Sequence, residues 1–287
     1  METIDYKKIF GEVFTPISLC EEMLNKLPEE VWGNPDLKWL DPACGSGNFL
    51  ITVKQKLMKG LEKKIPDEIK REKHILNNML YGVDIQPKNI LLCLLRLDPN
   101  NKYSIKNHVV CENSLEFDYW NDQKFDIVVG NPPYQKARKT RGSPQASDFY
   151  PEFVDLSYKL SKRYIIMITP SRWFNKRGLD DFRFRMIHNY GIKYLWHTDD
   201  NKFFNGADIK GGVSYFLIDK EYIGDTYLNF IDDFINLKDN EDIFISRSIL
   251  GLKIIEKLKK HDTLDKKCCP QSHFKIKTND KRLHNNM

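Results

Sequence analysis

Short apolar runs alternate with helical patterns along most of the chain, and this alternation limits the fold more than any other feature. HVVC (108–111) and FDIVVG (125–130) have continuous β-branched runs at their cores, which are typical of buried strands. The other predicted strands are LKWLD (37–41), MLYGVD (79–84), RYIIMITP (163–170), IKYLWHT (192–198) and VSYFLI (213–218). Strands separated by helices of about 10–15 residues predict an α/β fold with a doubly wound, mostly parallel sheet.

The predicted helices have start signals and apolar spacing in the sequence. One begins after Thr15-Pro16, since a proline at a first helical position after a threonine is a start signal. Others are predicted over 48–63, from Pro87, over 148–160 and over 179–190. We expect one domain over 1–220 and a short basic C-terminal segment over 221–287.

Three of the strands end in residues suited to ligand binding. The first runs into Asp41 and the glycine turn Gly45-Ser46-Gly47, and the second ends in Asp84. Glycine lets a ligand approach the backbone, and a helix start offers free N–H groups. A plain tight turn and a helix-capping carboxylate are the simpler alternatives. Because ligands bind at the carboxyl ends of such strands, we expect these residues in one crevice.

The third strand end is the tetrapeptide NPPY (131–134), directly behind FDIVVG. A strand-terminating turn is the simpler interpretation. However, an amide side chain behind a buried strand is costly without a partner. The Asn131 amide oxygen, the Pro132 carbonyl and the Tyr134 ring together match a flat base with an exocyclic amino group.

Charge is concentrated at one end of the chain. The net charge of the 287 residues is +5, but residues 251–287 carry ten Lys and Arg against four acids. A second basic run follows NPPY, with Lys136, Arg138, Lys139 and Arg141. It is a solvated loop or, as we prefer, a contact for phosphates.

The cysteines and the N-terminus indicate a cytoplasmic protein. The six cysteines form no regular framework, so we expect reduced thiols. The start METIDYKKIF has charges where a signal peptide needs an apolar run, and no apolar stretch is long enough for a membrane span. No metal site is predicted, because no ligand spacing fits.

Taken together, these motifs resemble those of the gamma-class DNA adenine-N6 methyltransferases of restriction–modification systems. The similar segments are GEVFTP (11–16), DPACGSGNF (41–49), YGVDIQP (81–87), FDIVVGNPPY (125–134) and KFFNGADIKGGVSYFLI (202–218). Their order, with FTP before the glycine turn and NPPY after it, is that of the gamma class. The resemblance covers about residues 8–220 and implies the class I S-adenosylmethionine-dependent methyltransferase fold.

The resemblance also implies how the cofactor, S-adenosylmethionine, is held. Thr15 and the turn over 43–47 would hold its methionine part, Asp84 its ribose hydroxyls, and Ile85 and Phe153 its adenine. The cofactor-binding residues expected on this basis are Thr15, Asp41, Ala43, Gly45, Gly47, Asp84, Ile85, Asn113 and Phe153.

The implied reaction is a direct methyl transfer to a flipped adenine. Asn131 Oδ1 and the Pro132 carbonyl would accept hydrogen bonds from the amino group and aim its nitrogen at the methyl group. The flipped base needs new stacking partners, and these would be Tyr134 and Phe204, with Phe203 as an alternative to the latter.

The chain departs from the family pattern at two places. Asn113 stands where the family has an acidic contact to the cofactor adenine; its carbonyl oxygen can accept the same hydrogen bond, and Glu112 is a rival. Only about 65 residues follow the catalytic region, so recognition of double-stranded DNA would need a separate specificity or restriction subunit, or the chain is truncated.

Other functions remain open at this point. Ribosomal-RNA adenine methyltransferases and release-factor glutamine methyltransferases share NPPY, and a catalytically idle DNA-binding subunit could keep the fold. The FTP segment and the basic run favour DNA.

Overall fold

A computed structural model describes residues 15–135, 148–199, 209, 211–239, 245–247, 250 and 251. Contacts divide the chain into two compact units, residues 1–245 and 246–287. The helices and strands given below all lie in the first unit. None of these helices is long and apolar enough to cross a bilayer.

The strands form one nine-stranded sheet in the order β3-β2-β1-β4-β5-β7-β6-β8-β9. Their bounds are β1 Trp39–Asp41, β2 Leu80–Asp84, β3 Val109–Cys111, β4 Phe125–Gly130, β5 Ser161–Pro170, β6 Ile192–Thr198, β7 Val213–Asp219, β8 Thr226–Leu228 and β9 Asp233–Ile235. Strands β1 to β5 are mutually parallel, whereas β7 runs antiparallel between β5 and β6. The carboxyl ends of β1, β2 and β4 therefore lie at one edge.

Helices connect the parallel strands. They are α1 Ile17–Leu24, α2 Asn48–Gly60, α3 Glu68–His74, α4 Pro87–Leu97, α5 Tyr150–Leu160 and α6 Asp180–Phe184. π-helical turns over Ile75–Met79 and Arg185–Asn189 extend α3 and α6, and 3-10 turns cover Glu29–Gly33, Ile105–Asn107, Ser171–Phe174 and Leu237–Asp239. Residues Tyr119–Asp122 form a short turn with positive φ values. Pro87 is the first residue of α4, as its fixed φ favours.

Both faces of the sheet carry a hydrophobic core. One core contains buried side chains of α1, α2 and α4, and the other contains those of α5 and α6. The strands contribute side chains to both cores, because successive side chains of a strand point to opposite faces. In β4, Ile127 and Val129 belong to the first core and Val128 belongs to the second. This double covering explains why β4 is apolar from Ile127 to Val129.

The predicted α/β fold is confirmed, with two differences in detail. Strand β7 is antiparallel, because β6 and β7 pair directly with each other. Pro16, not Thr15, occupies the cap position of α1.

The boundary predicted at residue 220 falls between β7 and β8, and β8 pairs with β6, so the sheet continues beyond that position.

Candidate active site

A cavity of about 310 Å³ opens at the carboxyl ends of β1, β2 and β4. Such a volume is within the range of small-molecule sites. Ten of the residues singled out from the sequence line it: Thr15, Asp41, Ala43, Gly45, Asp84, Ile85, Asn113, Asn131, Pro132 and Phe153. The tertiary structure therefore brings the predicted cofactor residues and the start of NPPY to one place.

The glycine turn forms one wall of the cavity. Gly45 and Gly47 have φ values of +51° and +88°, which favour glycine. The Cys44 N–H donates to the Val83 carbonyl at 3.0 Å and ties the turn to β2. Gly47 was expected to bind the cofactor but lies outside the cavity lining. Its small size serves packing instead, since a Cβ there would lie 2.6 Å from the Cys93 Sγ.

Asp84 is held at the cavity by neighbouring N–H groups. Its Oδ2 accepts from the Gly45 N–H at 3.0 Å, and its Oδ1 accepts from the Gln86 N–H at 2.8 Å and from Asn89 Nδ2 at 3.3 Å. The cap residue of α4 is Gln86, so Asp84 is not simply a helix cap. Its carboxylate is fixed before any ligand arrives.

Asp41 is the buried acid of the cavity. It is 1% exposed, and its Oδ1 accepts from the Ala43 N–H at 3.0 Å. Burial raises the pKa of the Asp41 carboxyl to about 8, and the nearby Asp84 charge acts in the same direction. Gly130 must be small here, because a Cβ would lie 2.8 Å from Asp41 Oδ1.

Apolar side chains form the other end of the cavity. Ile85 is 53% exposed, and Phe153 on α5 is buried. Phe149, which sequence reasoning missed, also lines the cavity and packs edge-on against Phe153, with ring centroids 5.4 Å apart. Its position four residues before Phe153 was the available signal. Asn113 lines the cavity, whereas its rival Glu112 is exposed and outside the lining.

NPPY begins where β4 ends, and its Asn131 contacts the N-terminal segment. Asn131 Nδ2 donates to Thr15 Oγ1 at 3.0 Å, across 116 positions of sequence. Pro132 is buried and lines the cavity beside Asn131. Thus the segment before the glycine turn and the motif after it meet directly.

The ring of Tyr134, which is predicted to stack on the flipped base, is buried in the structure. It is 5% exposed, belongs to a hydrophobic core and lies outside the cavity lining. Burial raises the pKa of its phenol above the ordinary value. Phe204, its alternative Phe203 and the basic run over 136–141 lie outside the described residues.

Two further polar residues secure the site and had no obvious signal in the sequence. Arg96, in the last turn of α4, donates from Nη1 to the Ser46 carbonyl at 2.7 Å and to Asn48 Oδ1 at 2.7 Å. Asn48 in turn donates from Nδ2 to the Thr15 carbonyl at 2.7 Å. These contacts connect the glycine turn to the residue that touches Asn131.

Two protein-family models match the chain. They are the Eco57I restriction-modification methylase over residues 78–204 and the DNA-methyltransferase domain of MmeI over residues 20–91. Together they include the glycine turn, Asp84 and NPPY.

Individual relatives support the same resemblance. An uncharacterized adenine-specific methylase of Mycoplasma pneumoniae is 28% identical over 292 residues, covering 76% of this chain and 69% of that protein. The type II restriction enzyme and methyltransferase RM.BcgI of Heyndrickxia coagulans is 33% identical over 105 residues, covering 34% of this chain and 15% of that protein.

The fold of the chain matches the folds of several solved structures. The structure of the DrdV–DNA complex superposes with a TM-score of 0.61 at 15% identity, covering 81% of this chain and 29% of the other. At this identity the match concerns the fold alone. The class I S-adenosylmethionine-dependent methyltransferase fold expected from the sequence is confirmed. The chain spans less than a third of RM.BcgI and of the DrdV chain.

Proposed function

We propose that the chain is an adenine-specific methyltransferase of a restriction–modification system and that it transfers a methyl group from S-adenosylmethionine to N6 of an adenine in DNA. One observation carries the proposal. Asn131 and Pro132, which can hold an exocyclic amino group, border the same cavity as Asp84 and the glycine turn. Methyl donor and acceptor nitrogen can therefore meet in one place.

The residues of the cavity fit S-adenosylmethionine. The carboxylate of Asp84 is already oriented and can accept from two ribose hydroxyls. Ile85, Phe149 and Phe153 offer apolar surface for a purine, and the start of α2 offers backbone N–H groups. When bound, this cofactor supplies an electrophilic methyl group on a sulfonium.

Asn131 and Pro132 act on the nitrogen that receives the methyl group. The lone pair of an adenine amino nitrogen is delocalised into the ring, which makes it a poor nucleophile. Asn131 Oδ1 and the Pro132 carbonyl oxygen are acceptors for its two N–H bonds. Holding both bonds favours a tetrahedral nitrogen with a directed lone pair, so the chain contributes positioning and electrostatics.

The target adenine must leave the duplex to reach this site. We assign its stacking to Tyr134 and Phe204. Because the Tyr134 ring is buried among core residues, stacking on it requires the ring to become accessible when DNA binds. This assignment stays a prediction.

DNA is the proposed partner, and the basic run over 136–141 is proposed to contact its phosphates. A separate specificity or restriction subunit and a cytoplasmic location also stay predictions. RM.BcgI is a type II restriction enzyme and methyltransferase, and DrdV is solved in complex with DNA, which supports DNA as the partner.

A radiolabelled methyl-transfer assay tests the proposal. The wild-type chain and Asn131→Ala are incubated with labelled S-adenosylmethionine and unmethylated double-stranded DNA, ribosomal RNA or a release factor. We expect label in N6-methyladenine of DNA with the wild type and at least about a hundredfold less with the variant. Label in RNA or in protein glutamine would replace DNA as the substrate. Cofactor binding without transfer to any substrate would indicate an idle subunit.

A further inference from the structure

A chain of hydrogen bonds leads from the surface of α4 to the Asn131 amide. Arg96 Nη1 donates to Asn48 Oδ1 at 2.7 Å, and Asn48 Nδ2 donates to the Thr15 carbonyl at 2.7 Å. The Thr15 hydroxyl oxygen then accepts from Asn131 Nδ2 at 3.0 Å. Four residues from the N-terminal segment, α2, α4 and NPPY are thus connected in series.

The orientation of the Asn48 amide is fixed by its two neighbours. A guanidinium only donates, so the atom of Asn48 that faces Arg96 must be the oxygen. A backbone carbonyl only accepts, so the atom that faces Thr15 must be the nitrogen. An amide turned by 180° would lose both bonds. Arg96 also donates to the Ser46 carbonyl and so ties the glycine turn to the same point.

Thr15 connects the Asn48 amide to Asn131 of NPPY, because its carbonyl binds the first and its hydroxyl binds the second. Its carbonyl is held by Asn48, and the residue is only 4% exposed, so the position of its Oγ1 atom is restricted. A hydroxyl can donate or accept, and here it accepts from the Asn131 amide. With Asn131 Nδ2 directed at this hydroxyl, the Oδ1 atom lies on the other side of the planar amide. We propose that Arg96, Asn48 and Thr15 form a positioning relay that orients the Asn131 amide for methyl transfer. This proposal rests on the function proposed above.

The relay would act on the rate of the chemical step. Asn131 can direct the lone pair of an amino nitrogen only if Oδ1 is the atom that meets the N–H bond. A displacement of about 1 Å in such a contact can lower a rate by about a hundredfold. Arg96, Asn48 and Thr15 are therefore assigned as positioning residues, acting through Asn131.

Asn48→Asp separates this role from a structural one. Asn48 is the first residue of α2, and no acidic residue stands in the first turn. A carboxylate there favours the helix dipole and can still accept from Arg96, which offsets part of the cost of losing the bond to the Thr15 carbonyl, so the variant should still fold. However, a carboxylate cannot donate to the Thr15 carbonyl, so the relay is broken. Asn48 also lines the cavity, so cofactor affinity is measured separately. At saturating cofactor, a purely structural role predicts an unchanged rate, and the relay predicts a slower one.

The experiment compares wild type, Asn48→Asp and a matched control, Asn34→Asp. Asn34 makes its hydrogen bond through Oδ1, which accepts from the Asp36 N–H, and a carboxylate preserves that bond. Melting temperature, cofactor affinity and the single-turnover rate at saturating cofactor on methylatable DNA are measured. The side-chain amide resonances of Asn131, assigned with Asn131→Asp, are followed by nuclear magnetic resonance without DNA.

We expect Asn48→Asp to fold with a cooperative melting transition, to lose between about tenfold and a hundredfold in rate, and to shift the Asn131 resonances. Asn34→Asp should change none of these. If Asn48→Asp does not fold, Arg96→Met, which removes the donor to Asn48, decides in its place. A wild-type rate in a variant that breaks the relay overturns the inference, and so do unmoved resonances. A wild-type chain without any transfer refutes the proposed function instead, while the resonances still decide whether the relay exists.

Discussion

The Asp84→Ala substitution removes the carboxylate assigned to the ribose of the cofactor. Both of its oxygens are fixed by N–H groups of the cavity wall, so no ordering of this side chain has to accompany binding. A hydrogen bond to a charged group contributes about 1.5–3 kcal/mol. Losing one such contribution corresponds to a loss of roughly 10- to 150-fold in cofactor affinity. Asp84→Ala removes the acceptor of both ribose hydroxyls, so we expect a loss of cofactor affinity of at least this size.

Isothermal titration calorimetry with S-adenosylmethionine measures the change in dissociation constant. Asp84→Ala also removes the acceptor of the Gly45 N–H, so urea unfolding should accompany the titration to separate affinity from stability. Glu112→Gln is the matched control, because Glu112 is an acid near the end of β3 but lies outside the cavity lining. We expect this control to bind the cofactor like the wild type.

Equal affinity of Asp84→Ala and the wild type would refute the ribose assignment. A loss of affinity in Glu112→Gln would refute the placement of the binding site, because that side chain is exposed to solvent away from the lining.

Four further outcomes are expected. Asn131→Ala should lower the single-turnover rate by about a hundredfold or more with nearly unchanged cofactor affinity, and a rate near wild type would contradict its role. Burial raises the pKa of Asp41 from the ordinary 3.8 to about 8, so the folded state binds the proton more tightly than the unfolded state. The free energy of unfolding should therefore fall as pH rises between these two pKa values. In urea unfolding, Asp41→Asn should show a weaker dependence of this free energy on pH. Tyr134→Ala should cost about 3–5 kcal/mol of stability because the ring is buried, whereas Tyr134→Phe should keep both fold and activity in thermal and transfer assays. Alanine in place of the four Lys and Arg over 136–141 should flatten the dependence of log K on log salt in DNA binding, and an unchanged slope would mean a solvated loop.

The sequence alone was sufficient for the main strands and for the residues at their ends. The β-branched runs at 108–111 and 125–130 predicted buried strands. The strand β4 Phe125–Gly130 has the predicted bounds, whereas β3 Val109–Cys111 lies at the edge of the sheet, and its Cys111 is exposed. A strand such as β4 can be identified from its own residues alone, because a strand buried on both faces needs apolar residues at successive positions. The three-residue strands β8 and β9 were missed. Strands β1 and β3 are equally short, but the first leads into the glycine turn and the second contains a β-branched run, and β8 and β9 have neither signal.

The sequence also determined most of the cavity lining. Asp41, Asp84 and Asn131 each follow an apolar run, and the carboxyl ends of parallel strands share one edge. Their convergence follows from that rule without knowledge of distances. Phe149 was missed because a helical phenylalanine serves a core as readily as a ligand site.

Only the tertiary structure decided which side chains touch. The Thr15–Asn131 contact spans 116 positions and the Arg96–Asn48 contact spans 48, and no periodic pattern relates residues so far apart. Likewise, nothing in the sequence distinguished the buried Tyr134 from an exposed one. Hydrophobic periodicity records which face of an element is buried, whereas the partners of a polar group depend on how the sheet order brings separate segments together. The sequence therefore determined the elements and the chemistry at their ends, and the packing of those elements decided how that chemistry is oriented.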